Sequence, residues 1–315
     1  MSGVALSLPM FRAARKGCFA IPALNANGNI ITDAILEAAW LEKSPVIVQA
    51  SQGAISHAGF GNAARGTKFI VDMTTDLLEG RPGIPVAVNL DHGSSVDQNA
   101  LCFRYGFTML MIDFAKKSLV ENIAASRQIV QMAASVPGIA VEVEIGQIGA
   151  LGDSTEPGVA IEKMRDFWTK PEELAELAKE SGAHLFATAV GQIHGCREKI
   201  AVIDFDLFGR CIAAVQAVRD PEEVGFVLHG ASGIRDEDVQ RAIGEFGVVK
   251  INVDTELRKA YINAFEQYQR DALAKNGIQN IDQRKPEKAG HDAVVEVARG
   301  LMRLFGSSGK AELCW

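Results

Sequence analysis

The sequence has 315 residues, of which 48% are apolar and 23% are charged, and its formal net charge at pH 7 is −7. This composition predicts a folded protein with a sizeable core and argues against disorder. The negative charge argues against a nucleic-acid-binding surface, which needs clustered basic residues.

No uninterrupted apolar run reaches about 18 residues, so no membrane span is predicted. The first residues lack a charged stretch followed by a long apolar one, so no signal peptide is predicted. The five cysteines are scattered and include no Cys-x-x-Cys pair, which is typical of a reduced chain. We therefore expect a cytoplasmic protein.

Eight short β-rich segments alternate with helical patterns along the chain. Several are nearly continuous apolar runs, as in parallel strands that helices cover on both faces. The predicted strands are residues 19–25, 45–51, 84–91, 108–114, 139–146, 184–191, 225–230 and 248–254.

The clearest helix signal is TKPEELAELAKESGA, with Thr169 as N-cap, Pro171 in the first turn and Gly182 at the end. Residues 118–134 and 236–246 show the same pattern. Eight strand–helix units predict an α/β fold, namely a (β/α)8 TIM barrel with extra terminal helices and one domain over residues 1–315. A doubly wound open sheet is the alternative. The connection 148–168 is too long for an ordinary turn, so we expect a mobile active-site loop.

Polar residues gather where the predicted strands end, and in a barrel enzyme these ends form the active site. They are Ser51, Asp91, His92, Glu142, Glu144, His194, His229, Asn252, Asp254 and Thr255. Three of these ends carry a histidine followed by glycine. Three imidazoles with an open fourth position are a common ligand set for catalytic zinc, and only a barrel would bring these three together. His57, His184 and His291 lack this context and are interpreted as structural.

The glycine-rich HGASG, residues 229–233, precedes a helical pattern. Backbone amides at such a turn can bind phosphate. By itself the pattern is more often a plain tight turn, but its late position in a barrel favours the phosphate-binding interpretation.

Taken together, NLDHGSS, EVEIGQIG, GQIHG, LHGASGI, KINVDTELR and LFGSSGKA resemble the class II, zinc-dependent ketose-bisphosphate aldolases. This family includes the fructose- and tagatose-1,6-bisphosphate enzymes. The similarity extends from about residue 19 to 311, with the motifs in family order. It implies retro-aldol cleavage of a phosphorylated ketose to dihydroxyacetone phosphate and an aldehyde, in a homodimer or homotetramer.

The resemblance also implies residue roles. His92, His194 and His229 would bind zinc, and Asp91 would act on the proton of the C4 hydroxyl. Glu142 and Glu144 would orient the ligands or offer an alternate metal position, and backbone carbonyls near Gly195 and Gly230 would hold Na⁺ or K⁺. The expected substrate-binding residues are Ser51, Gly195, Gly230, Ser232, Asn252, Asp254, Thr255 and, for a distal phosphate, Arg284.

The sequence departs from the family pattern mainly around the substrate. Asn89 replaces a histidine, Ala231 replaces a glycine, and Gln192 replaces a threonine. Gly152 stands where the mobile loop carries a glutamate, which leaves Asp153 and Glu156 as acid/base candidates. Glu198 replaces a phosphate-facing lysine, with Lys199 next to it.

We infer that the metal chemistry is retained and that any difference lies in the sugar or in proton transfer. Two alternatives remain: another zinc-dependent barrel enzyme, such as an epimerase or a hydrolase, and a non-catalytic metal-binding homologue.

Overall fold

The computed structural model describes residues 3–150, 163–195, 201–277 and 282–315. These residues contain a closed barrel of eight parallel strands, which confirms the predicted TIM barrel and rules out the open sheet. The barrel strands are β1 (Ile21–Asn25), β2 (Val46–Ser51), β3 (Val86–Asp91), β4 (Met109–Asp113), β5 (Ala140–Ile145), β7 (Leu185–Thr188), β9 (Gly225–Leu228) and β10 (Val248–Val253), in this order around the barrel. The two-residue strands β6 (Gly149–Ala150) and β8 (Ile193–His194) pair with each other outside it.

Helices surround the barrel, and additional ones lie near both ends of the chain, as predicted. The segment 118–134 forms a helix that starts with a capping box between Ser118 and Glu121. The described α-helices are Ser7–Lys16, Asn29–Glu42, Gln52–Ala58, Ala63–Leu77, Val96–Arg104, Leu119–Ala133, Pro171–Ser181, Phe205–Gln216, Asp236–Phe246, Thr255–Asn276 and Arg284–Leu304. Among the described residues, no helix is long and apolar enough to cross a bilayer.

The prediction that Thr169 caps the helix Pro171–Ser181 is wrong. The N-cap is Lys170, and no side chain caps the helix. The hydroxyl of Thr169 instead donates to the Ile145 carbonyl (2.6 Å) and accepts from the Ala189 amide (2.8 Å). The Thr169 hydroxyl therefore links backbone groups at the ends of two barrel strands and is not available to cap the helix.

The helix Ser7–Lys16 closes the N-terminal end of the barrel. Its Ser7 hydroxyl donates to the Thr108 carbonyl (2.6 Å) and accepts from the Ala140 amide (2.9 Å). Met10 and Phe11 on this helix belong to one buried apolar cluster with side chains of the barrel interior: Ile21, Ala23, Ile47, Ala87, Met109, Ala140, Leu185, Ala187, Val227 and Val249. The lower part of the barrel is thus a packed hydrophobic core.

Strand β10 contains a register shift between Val248 and Lys250. Side chains of a regular strand alternate between its two faces. Here Val249 packs in the interior apolar cluster, and its neighbour Lys250 also points into the barrel, where it contacts Glu142 and Asn252. The irregularity therefore re-aims the strand, as β-bulges do, and directs the two polar residues 250 and 252 inward.

His194 does not end a barrel strand, contrary to the sequence prediction. The barrel strand stops at Thr188, because the Gln192 side chain accepts from the Val190 amide (2.6 Å) and donates to the Thr188 carbonyl (2.5 Å) in a turn. At Gly191, with φ of 119°, a Cβ would lie 2.1 Å from the Val202 carbonyl oxygen, so only glycine fits. The chain leaves the barrel there, and His194 lies in β8.

Candidate active site

A cavity of about 430 Å³ opens at the C-terminal ends of the barrel strands. Its walls come from the segments that follow most of these strands, so residues far apart in the sequence meet there. The residues that line it are Asn25, Gln49, Asp91, His92, Asp113, Ala115, Lys116, Glu144, Gln147, Ile148, His194, Gly195, Gly230, Ser232, Asn252, Val253, Asp254, Thr255 and Arg258.

The three histidines predicted as metal ligands meet at this cavity. One ring nitrogen from each of His92, His194 and His229 lies within 4.8 Å of the others. The ring centroid of His92 is 5.2 Å from that of His194 and 4.7 Å from that of His229. His92 has a left-handed backbone with φ of 50°, which is uncommon for a residue other than glycine and is frequent at functional sites.

Carboxylates hold two of these imidazoles in place. Asp113 Oδ2 lies 2.8 Å from His92 Nδ1, and Glu144 Oε2 lies 3.4 Å from the same nitrogen. On His229, Nε2 lies 2.7 Å from Glu142 Oε1, whereas the buried Nδ1 makes no hydrogen bond and has Glu144 Oε2 at 3.3 Å. An imidazole nitrogen without a hydrogen bond, buried beside two further imidazoles, matches a common donor set for zinc, so the residues present fit the metal.

Glu144 and Asp113, with His92, form a second group of potential ligand atoms within 4.8 Å of one another. The expectation that Glu142 offers an alternate metal position is not supported. Glu142 is fully buried, and its two carboxylate oxygens face His229 Nε2 (2.7 Å) and Lys250 Nζ (2.9 Å). Both oxygens are therefore occupied by protein groups, and Glu142 orients a candidate ligand instead.

The protonation of the imidazoles differs within the site. Burial lowers the pKa of His92, but Glu144, Asp91 and Asp113 raise it by more, to about 10. Burial together with the charges of His92 and His229 lowers the pKa of His194 to about 3. Burial also lowers the pKa of His229, yet contacts with Glu142 and Glu144 raise it above its usual value. Without metal, protons on His92 and His229 therefore compete with a cation, and metal affinity should increase with pH.

Asp91 is buried next to this group. Its Oδ1 lies 3.9 Å from His92 Nε2. Asn25 Nδ2 donates to Asp91 Oδ2 (2.8 Å), and Asn252 Nδ2 donates to Asp91 Oδ1 (3.3 Å). Burial raises the pKa of Asp91, but the neighbouring charges of His92 and His229 lower it by more, so the carboxylate is ionised and can accept a proton.

Most of the predicted substrate-binding residues line the cavity, and two do not. The Ser51 hydroxyl accepts from the Ala54 amide (3.2 Å) and caps the helix Gln52–Ala58. The side chain of Arg284 is 85% exposed and pairs with Asp282, outside the cavity wall. Gly195, Gly230, Ser232, Asn252, Asp254 and Thr255 do line the cavity. The loop candidates Asp153 and Glu156, and the variant positions 152, 198 and 199, lie outside the described residues.

Several residues of the site were missed by the sequence analysis. Asn25 ends a predicted strand and Asp113 is the next-to-last residue of another, so the strand-end argument could have found them. Lys250 is a charge within an apolar strand, which is a visible anomaly. Lys116 and Arg258 also line the cavity. Lys116 lies in an ordinary polar segment that carries no such signal, and Arg258 ends the motif KINVDTELR but was assigned no role.

The family model described as fructose-bisphosphate aldolase class-II matches residues 7–310. The chain belongs to this family. Class II aldolases are in general zinc-dependent lyases, and the three-histidine group of this chain is a candidate site for the metal.

Individual relatives are similar over nearly their whole length. A fructose-bisphosphate aldolase of Geobacillus stearothermophilus is 37% identical, with 96% of each chain covered. A 6-phospho-5-dehydro-2-deoxy-D-gluconate aldolase of Bacillus subtilis is 32% identical over 95% of this chain and 94% of its own. The crystal structure of the YdjI aldolase of Escherichia coli K12 has a TM-score of 0.77 and 27% identity, covering 98% and 99% of the two chains. This class II aldolase family member is therefore a carbon–carbon lyase that acts on ketose phosphates.

Proposed function

We propose that the protein cleaves a ketose 1-phosphate to dihydroxyacetone phosphate and an aldehyde, with zinc held by His92, His194 and His229. The observation that carries this proposal is the position of Asp91, a buried, ionised carboxylate whose Oδ1 lies 3.9 Å from His92 Nε2. Zinc, when bound, supplies electrostatic stabilisation for the negative charge that develops on the three-carbon fragment.

The residues of this chain then account for the proton transfer. Asp91 takes the proton of the C4 hydroxyl as the bond between C3 and C4 breaks. The C4 carbon becomes the aldehyde, and the electron pair of the broken bond remains on C3. A proton must then be delivered to C3, and Asp153 and Glu156 remain our candidates for that acid. Asn25 and Asn252 hold both Asp91 oxygens, which orients the carboxylate towards the substrate.

We assign the C1 phosphate to the side of the cavity formed after β9 and β10. Gly230, Ser232 and Thr255 line it there, and Gly230 adopts a left-handed conformation with φ of 64°. Backbone amides at such turns, and at the start of a helix such as Thr255–Asn276, attract anions. Asp254 is held by the Asn27 amide and by the Arg258 guanidinium, so its role is to shape this wall.

The distal end of the substrate is proposed to differ from that of fructose 1,6-bisphosphate. Arg284 is outside the cavity, and the guanidinium of Arg258 is already paired with Asp254 (Nη2 to Oδ2, 2.7 Å). The Bacillus subtilis relative is named for a sugar acid that carries a carboxylate at the end opposite its phosphate. A ketose 1-phosphate with a non-phosphorylated tail, such as a carboxylate, is therefore our preferred substrate class, and fructose and tagatose 1,6-bisphosphate are the comparison compounds.

The test is a coupled assay for dihydroxyacetone phosphate with the zinc-loaded enzyme. The panel contains fructose 1,6-bisphosphate, tagatose 1,6-bisphosphate, 6-phospho-5-dehydro-2-deoxy-D-gluconate and the form of each that lacks the phosphate on the carbon next to the ketone. We expect chelator-sensitive release from the compounds that keep the phosphate next to the ketone and none from the others. A kcat/KM of about 10⁵ M⁻¹s⁻¹ or above for fructose 1,6-bisphosphate alone would refute the proposed distal specificity. Absence of dihydroxyacetone phosphate with every compound would favour the epimerase, hydrolase or non-catalytic alternatives.

We further propose a single domain over residues 1–315, assembly as a homodimer or homotetramer, a cytoplasmic location, and a Na⁺ or K⁺ ion near the carbonyls of Gly195 and Gly230. The family resemblance supports each of these.

For the ion, a close approach of the Ile193 carbonyl to Gly230 adds support, since a Cβ on Gly230 would lie 2.9 Å from that oxygen. Sedimentation analysis would test the assembly, and the activity ratio in K⁺ and in a large organic cation would test the ion.

A further inference from the structure

Lys250 is a fully buried lysine inside the barrel, beneath the cavity. Its side chain has no solvent exposure. Its ammonium lies 2.9 Å from Glu142 Oε2 and donates to Asn252 Oδ1 at 2.5 Å. Burying an ion pair costs several kcal/mol per ion in desolvation, and apolar residues of similar volume often replace such a pair without loss of stability. Stability alone is therefore a weak reason for a lysine at this position.

Each of the two partners of Lys250 continues to a different part of the active site. Glu142 uses its other oxygen on His229 Nε2 (2.7 Å), and His229 is a candidate metal ligand. Asn252 uses its amide nitrogen on Asp91 Oδ1 (3.3 Å), and Asp91 is the candidate base. One ammonium group is thus connected to both halves of the proposed chemistry.

The direction of these hydrogen bonds follows from the chemistry of lysine. An ammonium group can only donate. Asn252 must therefore turn its oxygen towards Lys250, which leaves its Nδ2 facing Asp91. An amide in the opposite orientation would place an oxygen against the Asp91 carboxylate, and the two acceptors would repel each other.

The same argument applies to Glu142. Glu142 is fully buried, and its Oε2 lies 2.9 Å from the Lys250 ammonium, so its carboxylate is the anion of a buried ion pair. An ionised carboxylate only accepts, so His229 Nε2 must carry a hydrogen. The nitrogen of His229 that can offer a lone pair to a metal is then Nδ1, a buried atom that makes no hydrogen bond and lies 3.3 Å from Glu144 Oε2.

We propose that Lys250 is a positioning residue that fixes the direction of both hydrogen-bond arms, presenting the Nδ1 lone pair of His229 to the metal and the amide hydrogens of Asn252 to Asp91. The metal-binding half of this proposal rests on the proposed function only through the identity of the zinc ligands. The register shift in β10 is what allows it, because Lys250 and Asn252 point inward on account of that shift.

The experiment compares four forms of the full chain: wild type, Lys250→Met, Glu142→Gln and the double variant Lys250→Met/Glu142→Gln. The single lysine variant leaves a buried, unpaired carboxylate, so it is expected to be destabilised. The double variant removes both charges, so it tests the loss of Lys250 without leaving a buried, unpaired carboxylate. Lys259→Met, an exposed lysine on the helix Thr255–Asn276, is the control for loss of a positive charge. Thermal unfolding establishes that each variant is folded.

Two measurements are then made on the folded variants. The zinc dissociation constant is measured by competition with a chromophoric chelator, without substrate, and kcat is measured at saturating zinc. In the double variant we expect zinc binding to weaken by about 10- to 100-fold, the usual scale for loss of a group that orients a metal ligand, and kcat to fall by about tenfold. The Lys259→Met control should match wild type in both.

The proposal would be overturned if the folded double variant had either a zinc dissociation constant or a kcat within twofold of wild type. Lys250 would then contribute only a structural ion pair to the corresponding arm. The zinc measurement involves no sugar, so it keeps its meaning if the substrate assignment fails. If the aldolase assignment itself is wrong, the wild type will show no turnover. That result is distinct from any effect of the Lys250 substitution.

Discussion

The two ends of the barrel are built from the same strands, but they contain opposite chemistry. Near the N-terminal end the inward side chains are apolar, among them Ile21, Ile47, Ala87 and Met109. Two or four residues further along the same strands, inward positions hold Asn25, Gln49, Asp91, Asp113 and Glu144, which line the cavity. Because alternate residues of a strand share a face, each of these strands contributes to stability at one end and to chemistry at the other.

The polar end is less completely satisfied than the apolar end. Asn89 is fully buried between the two regions, and neither of its side-chain polar atoms has a hydrogen-bond partner. A buried polar group without a partner costs free energy, whereas each apolar residue below it contributes favourable burial. The comparison predicts that changes at the top of the barrel alter metal binding and turnover, and that changes at the bottom alter the free energy of unfolding.

The largest effect is expected for His194→Ala. Loss of one of three imidazoles should leave the site poorly occupied by zinc and lower dihydroxyacetone phosphate release by about 10³-fold, since the metal contributes several kcal/mol to charge stabilisation. Metal analysis and the coupled assay measure these, and His57→Ala, on an exposed helix, is the control. Full zinc occupancy with an unchanged melting temperature would show that His194 is not a ligand.

Asp91→Ala should retain zinc and lose carbon–carbon cleavage by about 10²-fold or more, the usual scale for a general base. The variant is measured at saturating zinc, so that metal content and turnover are separated. Asp97→Ala, an exposed carboxylate on the helix Val96–Arg104, should behave as wild type. Turnover of Asp91→Ala near that of this control would exclude Asp91 as the base.

At the N-terminal end of the barrel, Glu42 connects the helices Asn29–Glu42 and Arg284–Leu304. It contacts Arg299 (2.8 Å), Arg303 (2.6 Å) and the Ser308 hydroxyl (2.9 Å). Burial raises the pKa of Glu42, but these three groups lower it by more, from 4.5 to about 2. A folded-state pKa below the unfolded value stabilises the fold above pH 4.5, and this contribution is lost as the pH falls through about 2.

We therefore expect Glu42→Gln to lower the free energy of unfolding at pH 7 by about 1 to 2 kcal/mol, allowing for solvent screening at the helix surface. Denaturant titrations of the two proteins from pH 7 to pH 2 measure the difference, which should shrink below pH 4.5. A difference that does not depend on pH would contradict the ion-pair explanation. The kcat of Glu42→Gln should equal that of wild type at neutral pH.

The smallest effect is expected for Ile47→Val in the lower barrel. Removal of one buried methylene should cost about 1 kcal/mol of unfolding free energy and leave zinc affinity and kcat unchanged. Denaturant unfolding and the coupled assay test both parts. A fall in kcat of more than twofold would show that packing in the lower barrel is coupled to the active site, against the separation of the two ends.

The barrel itself was predictable from sequence, because its strands are nearly continuous apolar runs separated by recognisable helices. The site was predictable where a functional residue directly follows such a run, as Asp91, His92 and His229 do. His194 was predicted at the end of a barrel strand, which is wrong. The chain turns before it because of hydrogen bonds of the Gln192 side chain, and the periodicity of the sequence does not reveal such bonds. Ser51 was read as a substrate residue, but local hydrogen bonding makes it a helix cap.

Contacts between distant strands could not be predicted from the sequence. The pairing of Lys250 with Glu142, and of Asn252 with Asp91, depends on a one-residue register shift in β10. No pattern of residue types shows where such a shift occurs. Arg284 was expected at a distal phosphate, yet its side chain points to solvent and pairs with Asp282. The metal ligand assignment and the single-domain extent remain predictions.

The pairing of β6 with β8 has a kinetic consequence. Among the described residues, the strand that contains His194 pairs through a ladder of only two residue pairs, Gly149 with Ile193 and Ala150 with His194, whereas His92 and His229 follow strands of the closed barrel. Short, peripheral elements open locally at a small fraction of the global unfolding free energy. We therefore expect the residence time of a bound ion to be set by release of this single imidazole, so that metal exchange is fast compared with unfolding of the barrel.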